Sequence, residues 1–84
     1  MDTPAQRIAE KLASRMLPGY GEPGATWEGF GIGLVCDGCD QPVLPGHREV
    51  DVTLSDGRTI RFHAPCAATW RRLRDVLPLL RREP

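Results

Sequence analysis

The 84 residues predict a small α+β domain, and three observations carry that prediction. Apolar residues recur at helical spacing near each end of the chain. Between them, two alternating segments flank Ser55-Asp56-Gly57 as the strands of a hairpin would. All three cysteines and one of the two histidines fall into two pairs, Cys36-x-x-Cys39 and His63-x-x-Cys66, separated by a gap of 23 residues. At this length one domain is expected, and a core so small gains from an additional staple.

The first element is a helix over residues 4–17. Thr3 is placed to cap it, with Gln6 three residues on and Pro4 in the first turn. Ala5, Ile8, Ala9, Leu12 and Met16 recur on one face, and Pro18-Gly19 ends it. Residues 18–35 are rich in glycine and proline and read as a loop, with Tyr20, Trp27 and Phe30 pinning it to the core. Gly19-Tyr20-Gly21-Glu22-Pro23-Gly24 matches the dinucleotide-binding Gly-x-Gly-x-x-Gly pattern. It follows a helix rather than a strand, so the match is accidental.

Residues 36–46 carry the first cysteine pair in a tight turn, and residues 48–62 form the hairpin. A two-residue Asp-Gly turn would leave apolar side chains on both faces. A three-residue loop, Ser55-Asp56-Gly57 with Gly57 left-handed, puts Val52 opposite Ile60 and Val50 opposite Phe62 on one face. The other face then pairs Thr53 with Thr59, Asp51 with Arg61, and Glu49 with His63. The last helix is expected over residues 64–77. Pro65 sits in its first turn, Cys66, Trp70, Leu73 and Leu77 form its apolar face, and Arg71 and Asp75 pair across one turn. Pro78 should end or kink it at Leu77, and residues 78–84 read as a tail.

The two ligand pairs read as one tetrahedral Cys3His zinc site. Zinc is borderline-soft and takes thiolate sulfur and imidazole nitrogen without geometric preference of its own. Backbone N–H groups inside the Cys-x-x-Cys turn can bond the thiolates. His63 and Cys66, at a strand-to-helix junction, can point the same way, and the helix dipole at Cys66 favours a site of net charge −1. Glu49, opposite His63, is placed to accept the spare ring N–H. His47 is the rival fourth ligand. Other readings exist for the thiols: Cys66 as a small core residue, and Cys36 and Cys39 as a redox pair, which would want a βαβ context the sequence lacks.

In order and type, residues 36 to about 77 resemble a treble-clef zinc finger, in which a Cys-x-x-Cys knuckle leads into a hairpin and the second ligand pair opens the next helix. The resemblance implies a zinc-stabilised, treble-clef-like hairpin plus C-terminal helix, here with an added N-terminal helix and one structural Zn2+. Asp40 departs from the family, where glycine or a basic residue commonly follows the second cysteine. The His-x-x-Cys pair is also similar to half of a LIM domain, but the further cysteines are missing.

Function is less specified. The chain is neutral, yet residues 1–57 hold four basic and nine acidic residues, and residues 58–84 hold seven basic and two acidic. Such polarity suits a nucleic-acid face or mutual attraction of the two halves. The expectation is a non-catalytic binding module that engages protein or nucleic acid. In the nucleic-acid alternative, Arg71, Arg72 and Arg74 are the contact candidates, with Arg81 and Arg82 beyond them. A metal-dependent nuclease, with His47 in a catalytic role, is disfavoured because four protein ligands leave the ion no position for water. The deaminase signature is absent. A third possibility is an adaptor docking through its N-terminal helix. No apolar run approaches a membrane span and no basic-then-apolar leader is seen. An odd cysteine count points to a reducing compartment, so the cytoplasm is expected.

Overall fold

The computed structural model describes residues 3–19 and 23–80. The elements run α1 (Pro4–Ala13), β1 (Pro23–Phe30), β2 (Arg48–Leu54), β3 (Thr59–His63) and α2 (Ala64–Leu80). Two helices thus accompany one antiparallel sheet of order β1-β2-β3. Among the described residues no helix is long and apolar enough to cross a membrane.

The hairpin has the register that facial segregation demands. Glu49 lies opposite His63, Val50 opposite Phe62, Asp51 opposite Arg61, Val52 opposite Ile60 and Thr53 opposite Thr59. Leu54 N–H bonds to Arg58 O at 2.7 Å, which closes a three-residue loop, and Gly57 sits at φ 91°. A one-residue slip would send Val50, Val52 and Phe62, all buried, into water. Their face packs beneath α2, where the Trp70 ring stacks on Phe62 at 5.1 Å and donates its indole N–H to Pro18 O.

α1 begins as expected: Thr3 accepts from Gln6 N, and Gln6 Oε1 accepts from Thr3 N. It ends earlier than expected, at Ala13, with Ser14 as the C-cap. Arg15 then takes φ 65°, and Leu17 N–H returns to Lys11 O at 3.0 Å. This left-handed turn swings Leu17 into the core at 2% exposure and Met16 outward at 69%. Helical spacing assigned that core position to Met16, because it carried the helix through a turn that is not helical.

Four further expectations are corrected. The predicted loop contains a strand: β1 pairs with β2 along its length, with a bulge between Pro23 and Thr26. Backbone pairing tolerates the glycines, and Trp27 shields one of them, since a Cβ on Gly29 would collide with the indole. Trp27 and Phe30 do not pin a loop to the core, being 53% and 60% exposed; Tyr20 lies outside the described residues. α2 passes Pro78, which removes one amide donor from the last turn, where the helix loses least. The tail residues 81–84 lie outside the described residues. Asp75 pairs with Arg74 at 3.5 Å rather than with Arg71.

A non-glycine residue in the left-handed region costs about 1 kcal/mol. Arg15→Gly should therefore raise the urea midpoint, adding about 0.5–1 kcal/mol to stability with the m-value unchanged.

Candidate metal centre

Four donors converge where the segment after β1, the β3–α2 junction and the first turn of α2 meet. One donor atom from each of Cys36, Cys39, His63 and Cys66 lies within 4.8 Å of the others. The chain between the cysteine pairs is held by backbone bonds. Cys36 N–H bonds to Gln41 O at 2.9 Å and Asp40 N–H to Cys36 O at 3.0 Å. The turn then grips the outer edge of β3: Asp37 N–H donates to Arg61 O at 2.7 Å, and Arg61 N–H to Asp37 Oδ2 at 2.8 Å. Two residues after Arg61 comes His63, so this docking sets the first ligand pair against the second.

His63 settles its own tautomer. Its Nε2 lies 3.0 Å from Pro42 O, and a carbonyl oxygen can only accept, so Nε2 carries the proton. The lone pair of the neutral ring is then on Nδ1, which faces Cys39 Sγ at 3.4 Å and Cys66 Sγ at 4.0 Å. Zinc bonds of ~2.3 Å to sulfur and ~2.0 Å to nitrogen put S and N about 3.5 Å apart on a tetrahedral edge. The two distances bracket that value. The donor set and its spacing fit a zinc ion.

His47 is differently employed. Its Nδ1 accepts from Leu44 N–H at 3.1 Å, so its lone pair is already committed. Its ring stands edge-on to His63, centroids 5.1 Å apart, and helps line an open cavity of about 670 Å³ in front of Cys39, His63 and Cys66.

The thiols show how the site handles negative charge. Cys36 is pushed down to about 4, first because the Cys66 thiol donates to it, with the backbone N–H groups of Cys39, His63 and Gly38 adding to this against burial. Gly38 N–H lies 3.3 Å and His63 N–H 3.4 Å from Cys36 Sγ. Burial raises Cys39. Cys66 is raised chiefly by donating to Cys36. One sulfur is thus stabilised as a thiolate by fixed donors, while the other two hold protons that a cation would displace.

Glu49 behaves differently from expectation. Glu49 does stand opposite His63 but does not take its ring proton. Pro42 O does, and Glu49 Oε2 instead accepts from Arg61 Nε at 3.2 Å. Only 3% exposed, Glu49 is drawn by the guanidinium beside it. Nothing in the ligand spacing could have shown Pro42, because a backbone acceptor leaves no residue-type signal. Asp40 takes φ 66° and sends its carboxylate to Arg7 at 3.0 Å and to Lys11. These cations, Lys11 first, hold Asp40 below the usual carboxylate range. Lys11 also donates to Asp37 O at 2.8 Å, so α1 is clamped to the cysteine turn.

The arginines of α2 are not one surface. Arg71 and Arg72 are exposed, whereas Arg74 is half-buried over the Trp70 ring at 4.7 Å. Arg81 and Arg82 lie outside the described residues. Compared with known protein families, curated proteins and solved structures, the chain matches none.

Asp51 supplies a pH test. Burial, followed by a hydrogen bond with Glu49, raises it to about 6. A raised carboxyl binds its proton more readily folded than unfolded, so stability falls as pH rises from about 4 to 6. Asp51→Asn should leave stability nearly unchanged at about pH 4 and add on the order of 1–2 kcal/mol above pH 7, read as urea midpoints across the range.

Proposed function

We propose that the chain is a non-catalytic zinc module of treble-clef-like build, in which Cys36, Cys39, His63 and Cys66 hold one structural Zn2+ and the surface engages a protein partner. The Pro42–His63 hydrogen bond carries the zinc reading. It presents an imidazole lone pair among three sulfurs, an arrangement with no use in a core packed only by apolar contact. Four protein donors complete a tetrahedral shell, which supports a structural ion over a hydrolytic one. The same closure argues against the nuclease alternative, as does His47 spending its lone pair on Leu44 N–H.

Protein is the better-supported partner. Phe30, Ile32, Leu34 and Leu44 are large apolar side chains left in water, grouped on residues 30–34 and the 43–47 segment bonded to them, and such a grouping suits a protein contact. A nucleic-acid face on α2 has weaker support, because Arg74 is tied to Trp70 and Asp75. Arg71 and Arg72 are its remaining exposed cations among the described residues.

Metal analysis of the purified chain should give one zinc per molecule, and a chelator should abolish cooperative unfolding. His63→Ala should weaken zinc by more than the ~10–100-fold typical of removing a ligand's hydrogen-bond partner, while His47→Ala should change it by less than about threefold. Full retention of fold and unfolding midpoint after zinc removal would sink the structural role.

A further inference from the structure

β1 is a strand with almost nothing around it. Among the described residues it packs against β2 and against no other element, and Ala25 through Glu28, together with Phe30, are exposed. The opposite edge of the sheet is occupied, since Asp37 exchanges hydrogen bonds with Arg61 of β3. β1 is therefore the open edge among the described residues. Gly31, continuing the strand, donates inward to His47 O at 2.9 Å. Backbone direction alternates in an antiparallel ladder, so the N–H and C=O groups of Thr26, Glu28, Phe30 and Ile32 face outward, unpaired by β2. Open edges that carry apolar side chains are templates for another strand.

We infer that this edge pairs with β1 of a second copy of the chain, antiparallel about a two-fold axis at Gly29, joining two three-stranded sheets into one of six. The inference rests on the protein-interaction half of the proposed function and is independent of the zinc half. Three features favour a second copy over a foreign strand. First, an axis at Gly29 makes Glu28 and Phe30 of opposite copies a hydrogen-bonded pair, using outward-facing groups of both. The two Gly29 residues meet at a closely spaced, non-hydrogen-bonded position, where absent side chains suit the approach. An axis at Glu28 would instead oppose two carboxylates.

Second, the charges complement each other. Arg48 lies over its own Phe30 ring at 5.3 Å, and Glu28, Phe30 and Arg48 share one face of the sheet by register. Pairing Glu28 with Phe30 of the other copy brings Glu28 toward the other copy's Arg48, twice by symmetry. Among the described residues Glu28 has no ion pair of its own, so this contact uses a free charge. Third, the area fits a weak dimer. Trp27, Phe30 and Ile32 are 53%, 60% and 74% exposed. With the strand backbone they would remove on the order of 400–500 Å² per copy, or about 1,000 Å² in all, at the lower limit for a specific interface. A concentration-dependent dimer follows.

Sedimentation equilibrium of the full, zinc-loaded chain over a concentration series up to about 1 mM is the test. The wild type should approach twice the chain mass. Glu28→Pro deletes an outward N–H while leaving the β2 pairing intact, and it should remain monomeric. Glu28→Arg should weaken association about tenfold through repulsion from Arg48, and the double change Glu28→Arg/Arg48→Glu should restore it to within about threefold. Zinc content is measured on the same samples. Loss of the dimer with zinc retained supports the edge pairing, and absence of zinc from the wild type would count against the metal reading alone. A wild type monomeric throughout overturns the proposal and leaves the edge to a strand from a different protein. A dimer indifferent to Glu28→Pro, or a charge swap without rescue, overturns it too.

Discussion

The centre of this molecule depends on one hydrogen bond to a backbone carbonyl. Pro42 O lies 3.0 Å from His63 Nε2, and because it can only accept, it dictates which imidazole nitrogen is left to face the sulfurs. Proline 42 follows the cysteine turn and is itself bridged to Val35. The turn is anchored to β3 through Asp37, and β3 delivers His63. The acceptor, the thiols and the imidazole are thus set by the same few backbone bonds. Disturbing any one would move the lone pair away from the sulfurs.

Charge performs a second job around that centre. Cys36 receives N–H groups from Gly38 and His63, so its thiolate has partners fixed by the backbone. Asp40 gathers Arg7 and Lys11, which joins α1 to the turn at the surface while Ile8 and Leu12 join it below. Exposed ion pairs like these contribute little individually, and the apolar contacts hold the helix. The pairs set where along the turn it sits. Asp40 is suited to this because a short polar side chain tolerates the left-handed backbone required there.

What the sequence disclosed and what it hid divide along physical lines. The four donors were legible because metal ligation restricts residue type and spacing together. The hairpin register was legible because a buried face and a left-handed glycine leave one arrangement. β1 was hidden because its glycines signal turns, and because its pairing runs through the backbone of a strand far along the chain. Met16 was misplaced because a periodic pattern says nothing about an Arg15 in the left-handed region. Glu49 was correctly placed opposite His63 but given the wrong bond, since cross-strand register sets proximity and not which neighbour competes best. Arg61 offered a full charge, whereas the ring offered only a neutral N–H.

The clamp of α1 onto the cysteine turn has a consequence for how the chain is assembled. A Cβ on Gly38, between two of the cysteines, would sit only 3.1–3.2 Å from Ile8 and Phe62, so the helix rests on the backbone that carries Cys36 and Cys39. The N-terminal helix is a ten-residue element, too short to persist alone in water, and its resting place exists only once residues far downstream have closed the turn against β3. α1 precedes the turn and β3 in the chain, yet it is therefore among the last elements to acquire a stable neighbour. Its order is a report, delivered at the opposite end of the sequence, on whether the ligand-bearing joint has formed.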